Sequence, residues 1–305
     1  MAHEGESAYV AGGTDLYPNM KRLQQTPRFV VDIRGVPELT ALGRLESGWL
    51  RIGAAVSLRR LIRDPLVRQE WPVLAKAAAT ISTPILQNMG TVGGNLLLDT
   101  RCNYYDQSYE WRQAIHFCMK KDGDICWVAP SSPRCWAVQS SDLAPVMVAL
   151  GATVTLAGPG GTRTIPAQAL YRNDGIAYLT KAPTELLVHV EVPPLNGARA
   201  EYQKLRRRGG FDFPVLGVAA WARLQGEVVS EARVVIGGVG SWPMESPEAT
   251  AALLGRPLAE DSIAAAAQAA SRPAKPLDNT DFTIGWRKDM VPVYVRRALE
   301  SLTSD

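Results

Sequence analysis

The sequence predicts a mixed α/β (α+β) fold in two domains, and three observations point there. Short apolar strands alternate with helical stretches, and no internal repeat or low-complexity tract interrupts them. The 305 residues suffice for two ordinary domains of about 150 each. The run Val192-Pro193-Pro194-Leu195-Asn196-Gly197 breaks the pattern as a boundary does, dividing the chain into residues 1–195 and a smaller part, 196–305.

Taken in order, Phe29–Ile33 and Leu50–Ala54 read as strands. Ser57 is a suitable N-cap for a short helix, Leu58–Arg63, that must end before Pro65. Trp71–Ile81 is alanine-rich and helical, with Pro84 as its stop. The strand Gly151–Leu156 leads into the turn Gly158-Pro159-Gly160-Gly161. Beyond the boundary, Val215–Leu224 and Glu231–Ile236 are strands, Ser262–Ser271 an alanine-rich helix and Asp289–Leu302 a closing one.

Composition excludes several classes. Hydrophobic residues make up 46% and charged residues 21%, the balance of a globular chain with a core. A net charge of +3 does not suit nucleic acid, and the densest basic patch, Arg206-Arg207-Arg208, reads as a solvated or ligand-facing edge. The longest apolar stretches, such as Pro145–Leu150 and Val215–Ala222, fall far short of the roughly 18 to 20 residues of a membrane span. Met1–Glu6 lacks a positive region followed by an apolar one, so no secretory signal is read and a cytoplasmic protein is expected. In that reducing compartment, clustered cysteines serve as metal ligands or catalytic groups more often than as disulfides.

All four cysteines, Cys102, Cys118, Cys126 and Cys135, lie in a window of 34 residues with the spacing C-x15-C-x7-C-x8-C. Four thiolates suit tetrahedral zinc or an iron–sulfur cluster, against the plain alternative of four unrelated core thiols. Zinc sites usually pair their ligands as C-x2-4-C knuckles, because one tight turn presents two ligands to one small ion. No two cysteines here are that close, and wide spacing favours a larger cubane wrapped by a loop. Trp111, Trp127 and Trp136 lie around the ligands, where they either shield a cluster from water or simply pack the loop.

Two glycine motifs flank this loop: Ala11-Gly12-Gly13-Thr14-Asp15-Leu16 and Thr91-Val92-Gly93-Gly94-Asn95-Leu96. A glycine pair lets backbone N–H groups converge on a phosphate without a Cβ in the way, and a neighbouring threonine adds a donor. Tight turns alone also use such pairs. Neither motif is a Walker loop or G-x-G-x-x-G. His3, His116 and His189 form no metal-binding spacing, and no G-x-S-x-G elbow exists, so no catalytic residue is assigned and the chemistry falls to a bound cofactor.

Together the two glycine motifs resemble the FAD-pyrophosphate loops of the flavin subunits of xanthine dehydrogenase-like molybdenum hydroxylases. The likeness runs along nearly the whole chain, including Tyr202-Gln203-Lys204-Leu205-Arg206 and Trp286-Arg287-Lys288-Asp289-Met290. It implies an FAD-binding domain of that flavoprotein type over residues 1–195, with an inserted loop at about 99–140, and a smaller C-terminal α+β domain over 196–305. The cysteine loop, with Asp99-Thr100-Arg101-Cys102 at its start, is similar to the β subunits of 4-hydroxybenzoyl-coenzyme A reductases, whose insert holds a [4Fe–4S] cluster. Periplasmic aldehyde oxidases carry a related insert with different cysteine spacing.

By position, the resemblance implies that Ala11, Gly12, Gly13, Thr14, Asp15 and Leu16 hold one side of the FAD phosphates, and that Thr91, Gly93, Gly94 and Asn95 hold the other. It places Asp142 near the ribityl or isoalloxazine portion and brings Lys204 to the flavin ring from the second domain. Cys102, Cys118, Cys126 and Cys135 become the cluster ligands. Two departures stand out. Only ten residues precede Ala11, where family members carry a strand and a helix, and the chain reads Pro84-Ile85-Leu86-Gln87-Asn88 where many relatives have Gln-Ile-Arg-Asn.

The implied role is electron transfer within a molybdenum–flavin–iron–sulfur oxidoreductase. A large molybdopterin subunit, a small subunit with two [2Fe–2S] clusters and a ferredoxin-like carrier are its partners, in a dimer of heterotrimers without membrane or nucleic acid. The reaction is reductive dehydroxylation of an aromatic acyl-CoA or, alternatively, hydroxylation of an aldehyde or N-heterocycle. A zinc-stabilised scaffold without redox function is the reading from another class.

Overall fold

The computed structural model describes residues 6–303. Within them eleven strands follow in chain order: β1 (Ser7–Val10), β2 (Phe29–Asp32), β3 (Leu42–Arg44), β4 (Leu50–Gly53), β5 (Thr153–Gly158), β6 (Gly161–Pro166), β7 (Leu186–Val192), β8 (Arg199–Leu205), β9 (Leu216–Gln225), β10 (Val228–Gly237) and β11 (Met244–Glu245). β1 and β2 form a parallel pair, and β1 leads directly into Ala11. A five-stranded antiparallel sheet has the order β3-β4-β7-β5-β6 and a four-stranded one the order β11-β10-β9-β8. Segregated antiparallel sheets with helices beside them are the α+β arrangement.

The predicted strands all form, at boundaries shifted by up to about three residues. Ser57 caps the Leu58–Arg63 helix as expected, its hydroxyl accepting from the Arg60 N–H at 3.1 Å. The next alanine-rich helix is shorter than predicted, Pro72–Ala79. Pro84 does not stop it but opens a separate turn, Pro84–Gln87, capped by the Thr83 hydroxyl. Past the end of the Pro72–Ala79 helix Ser82 is left-handed, at φ 52°, and the Thr80 carbonyl, which Pro84 has no N–H to meet, accepts from Lys204 Nζ and Arg206 Nη1, both at 2.9 Å. The closing helix begins five residues early, at Ile284, where Thr283 accepts from the Trp286 N–H. His3 lies outside the described residues.

One core packs the five-stranded sheet and its helices and continues into the second sheet through Tyr202, Ala219, Trp221 and Val235. A second core lies on the opposite face of the four-stranded sheet, under the helices Pro247–Leu253, Glu260–Ala270 and Ile284–Glu300. Strand β9 serves both, because successive side chains point to opposite faces. Ala219 and Trp221 enter the first core, and Val218, Ala220 and Ala222 the second. This explains the unbroken apolar run that marked the strand in the sequence. Between the sheets lies Leu143–Ala149, a helix buried at every residue and therefore apolar all round.

Trp71 is fully buried in the first core, and its indole N–H donates to the Pro193 carbonyl at 2.8 Å, tying the helices to the Pro-Pro run after β7. Trp71→Ala removes that bond and opens a large cavity, and is expected to destabilise the fold by about 3–5 kcal/mol. A fall in the thermal unfolding midpoint, read by circular dichroism, measures it.

Candidate functional site

The two glycine motifs come together on one cleft of about 590 Å³. Ala11, Gly12, Gly13, Thr14, Asp15, Leu16, Thr91, Gly93, Gly94, Asn95 and Asp142 all line it. Gly12 presses so closely on the second motif's neighbourhood that a Cβ there would stand 1.7 Å from the Met89 carbonyl oxygen. Gly13 has φ +70°, a left-handed conformation that favours glycine. Among the described residues the N–H groups of Gly12, Gly13 and Thr14 have no partner in the protein, so this turn presents donors to the cleft.

The second motif is built differently. Thr91 caps the short Val92–Leu96 helix, its hydroxyl accepting from the Gly94 N–H at 3.1 Å. The Val92 N–H goes to Val56, the Gly93 N–H to Ala54 and the Asn95 N–H to Thr91. The amides of this second motif are therefore engaged within the protein, unlike those of the first. At Gly93 a Cβ would collide with Ala54, so that glycine is required for packing. Asn95 is a cap as well: its Oδ1 accepts from Ser141 Oγ at 2.8 Å and from the Leu143 N–H at 3.1 Å, at the start of the buried helix.

Asp142 reaches the cleft wall with its oxygens already engaged. Oδ1 accepts from the Tyr202 hydroxyl at 2.8 Å, and Oδ2 from Lys204 Nζ at 3.0 Å. Lys204 itself does not line the cleft; its ammonium is turned away to Asp142 and to the Thr80 carbonyl. A buried ammonium needs a carboxylate, and Asp142 supplies it. Burial pushes the Asp142 carboxyl up, with Lys204 opposing. Of the arginine triplet, Arg206 binds Thr80, Arg207 pairs with Asp281 at 3.5 Å and Arg208 pairs with Asp212. That last contact holds the Phe211–Phe213 loop, which lines the cleft from the second sheet's side.

All four cysteines are buried and line one small cavity, with Tyr104, Tyr105, Lys120 and Trp127. The Tyr104 N–H donates to the Cys102 sulfur, and the Ala137 N–H to the Cys135 sulfur at 3.4 Å. A Cβ on Gly175 would lie 2.6 Å from the Cys135 sulfur, so a bare glycine backbone closes this side. Burial pushes the Cys102 thiol up to about 12 and the Cys135 thiol up to about 11, so binding a metal must displace protons. Among the described residues no three His, Cys, Asp or Glu side chains are gathered for a single metal ion. The four thiols share one cavity. His116 and Phe117 are both left-handed, at φ 60° and 59°, immediately before Cys118. Of the three tryptophans only Trp127 lines the cavity, and His116 does not.

The cavity and the cleft share a wall that the sequence reading did not assign. Arg101, next to Cys102, pairs with Asp15 of the first glycine turn and lies 3.9 Å from the centroid of the Phe213 ring. Its Nε is buried without a partner among the described residues, although the side chain lines the cleft. Asp99 also lines the cleft and binds Lys120 Nζ at 2.9 Å and the Tyr105 hydroxyl at 2.9 Å. Their place beside Cys102 was the available signal, but only the folded insert shows which way they reach.

Residues 1–195 match the model of the FAD binding domain in molybdopterin dehydrogenase, and residues 200–302 that of the CO dehydrogenase flavoprotein C-terminal domain. The chain is 32% identical over 255 residues to the aldehyde oxidoreductase FAD-binding subunit PaoB of Escherichia coli, covering 79% of this chain and 78% of that one. It is 27% identical to the carbon monoxide dehydrogenase medium chain of Hydrogenophaga pseudoflava, over 97% and 89% of the two chains. A structure of carbon monoxide dehydrogenase from the same organism superposes with a TM-score of 0.81 at 26% identity, covering 99% of this chain and 91% of that one.

The Asp142–Lys204 pair generates a test with a defined pH sign. Lys204→Met strands a buried carboxylate and is expected to cost about 3–5 kcal/mol at neutral pH. A carboxyl whose folded pKa is raised stabilises the fold below the ordinary carboxylate range, and that contribution is lost as pH rises through the folded value. The deficit against the wild type should therefore shrink between pH 8 and pH 5, as measured by chemical denaturation.

Proposed function

The chain belongs to the family of FAD-binding medium subunits of molybdenum-containing hydroxylases and dehydrogenases, and on that premise we propose that it is an electron-transfer subunit holding FAD in the cleft and a [4Fe–4S] cluster in the thiol cavity. The observation that carries the reading is the wall between the two sites, where Asp99, Thr100 and Arg101 run from the cleft straight into Cys102. FAD, when bound, exchanges electron pairs and single electrons, and a four-iron cluster passes electrons singly.

The residues present fit both groups. The free amides of Gly12, Gly13 and Thr14 suit a pyrophosphate, the bare face of Gly94 allows close approach, and the unpartnered Arg101 Nε adds a buried donor. Asp142 and Lys204 act as the clamp that holds the cleft's far wall. Around the thiols, Cys102, Cys118, Cys126 and Cys135 supply the four ligands, and the Tyr104 and Ala137 N–H groups bond to sulfur, as donors that tune a cluster do.

In this reading residues 1–195 form the flavin-binding domain with its insert, and residues 196–305 the domain that closes over it. A large molybdopterin subunit and a small subunit with two [2Fe–2S] clusters complete the enzyme in a dimer of heterotrimers, with a ferredoxin-like carrier outside. No helix of the described residues is long and apolar enough to cross a membrane, and a reducing cytoplasm keeps the thiols available. The resemblance of the cysteine insert to that of the 4-hydroxybenzoyl-coenzyme A reductase β subunits supports a reductase that removes a phenolic hydroxyl from an aromatic acyl-CoA. The aldehyde oxidoreductase subunit among the relatives supports a second reading, the same subunit feeding on electrons from an aldehyde.

Iron, sulfide and flavin quantified on one anaerobically purified sample test the reading. Flavin absorption over a broad brown shoulder, with about four irons per flavin, is the expected result. An iron-free sample with one zinc overturns the cluster. Cys118→Ser is expected to abolish the cluster's signal and leave flavin bound.

A further inference from the structure

We propose that the Lys120–Asp99 ion pair, sunk in the wall between the thiol cavity and the cleft, acts as a fixed dipole that draws the electron toward the cavity. The inference rests on the cofactor assignment above and adds to it a difference in potential between the two sites. Lys120 lines the thiol cavity and Asp99 lines the cleft. Their side chains are only 7% and 10% exposed, and Nζ stands 2.9 Å from Asp99 Oδ1. The same ammonium donates to Thr100 Oγ1 and to the Gly175 carbonyl, each at 2.7 Å, so its three donors have three acceptors and its position is fixed. The Tyr105 and Tyr178 rings lie 4.8 and 5.3 Å away and keep water off.

A lysine needed only to pin the insert could do so from the surface, as an exposed pair does. This one instead puts its positive charge on the cavity, where it acts electrostatically on Cys135, and its counter-charge on the cleft. Buried charges are weakly screened, so each end acts on the group beside it. The positive end favours an added electron in the cavity, and the negative end disfavours one in the cleft. The pair would raise the potential of a cluster held by the four cysteines relative to that of a flavin held in the cleft, whichever way single electrons pass between them. Lys120 and Asp99 are thus positioning residues that act through charge.

The test is a redox titration of the purified complex with its partner subunits, following the cluster by electron paramagnetic resonance and the flavin by absorbance. Iron and flavin contents of the wild type come first; a wild type without iron overturns the cofactor assignment itself. With iron present, Lys120→Met is expected to make the cluster roughly tenfold harder to reduce, a midpoint lower by about 59 mV for one electron. Asp99→Asn is expected to shift both midpoints upward, the flavin's most. A purely structural role predicts lower occupancy with unchanged potentials in the molecules that do load. Shifts of the same sign in the two variants, or none, overturn the inference. If Lys120→Met loads no iron, Lys120→Arg replaces it: the charge is kept, so the potential must stay while Asp99→Asn still moves it.

Discussion

Burying Asp142 and Lys204 together, with side chains 2% and 3% exposed, forces the four-stranded sheet and the helix that begins at Leu143 into one register. Neither charge is tolerable alone at that depth, so the strand carrying Lys204 has only one place to dock. Tyr202 on the same strand adds its hydroxyl to the same carboxylate, and Arg206 reaches the Thr80 carbonyl that Lys204 also uses. This knot forms the far wall of the cleft. Such a pair specifies an arrangement more than it adds stability, because desolvation offsets much of its attraction.

The insert is held by the same logic on a smaller core. Cys102, Tyr105, Cys118, Cys135 and Ala137 form a cluster of their own, too small to order forty residues by apolar burial. Polar contacts with the rest of the chain do more: Asn279 donates to the Trp136 carbonyl at 2.6 Å, and the insert's own buried Arg112 donates to the carbonyls of Arg22 and Leu23. The insert therefore touches the first glycine turn, the cleft wall and the C-terminal segment at once. A change at the thiols reaches the cleft through Arg101 and Lys120 rather than through apolar packing.

Much of this was legible in the chain. The alternation of strand and helix gave the fold class, Ser57 marked a real helix start, and both glycine motifs do line one cleft. The cysteines do share a cavity. Less legible were roles that depend on what comes near from far along the chain. Lys204 reads as a cofactor contact until Asp142 is found 3.0 Å from it. Gly93 and Asn95 read as phosphate ligands until Ala54 and Leu143 are seen to claim them. Lys120 carries no motif at all, and its importance comes from a carboxylate twenty-one residues upstream and a glycine carbonyl fifty-five residues downstream.

By itself the sequence determined part of the local geometry: several of the strands and helices, where turns need a missing Cβ, and that four thiols occupy one stretch of chain. These follow from propensity, periodicity and spacing, which act over a few residues. Only the tertiary structure decided which charges are desolvated and against what. That choice separates Asp142 as a clamp from Asp99 as one pole of a dipole, although both are aspartates at the edge of the same cleft. Electrostatic character is set by burial and by partners distant in sequence, and neither is written in the chain near the residue concerned.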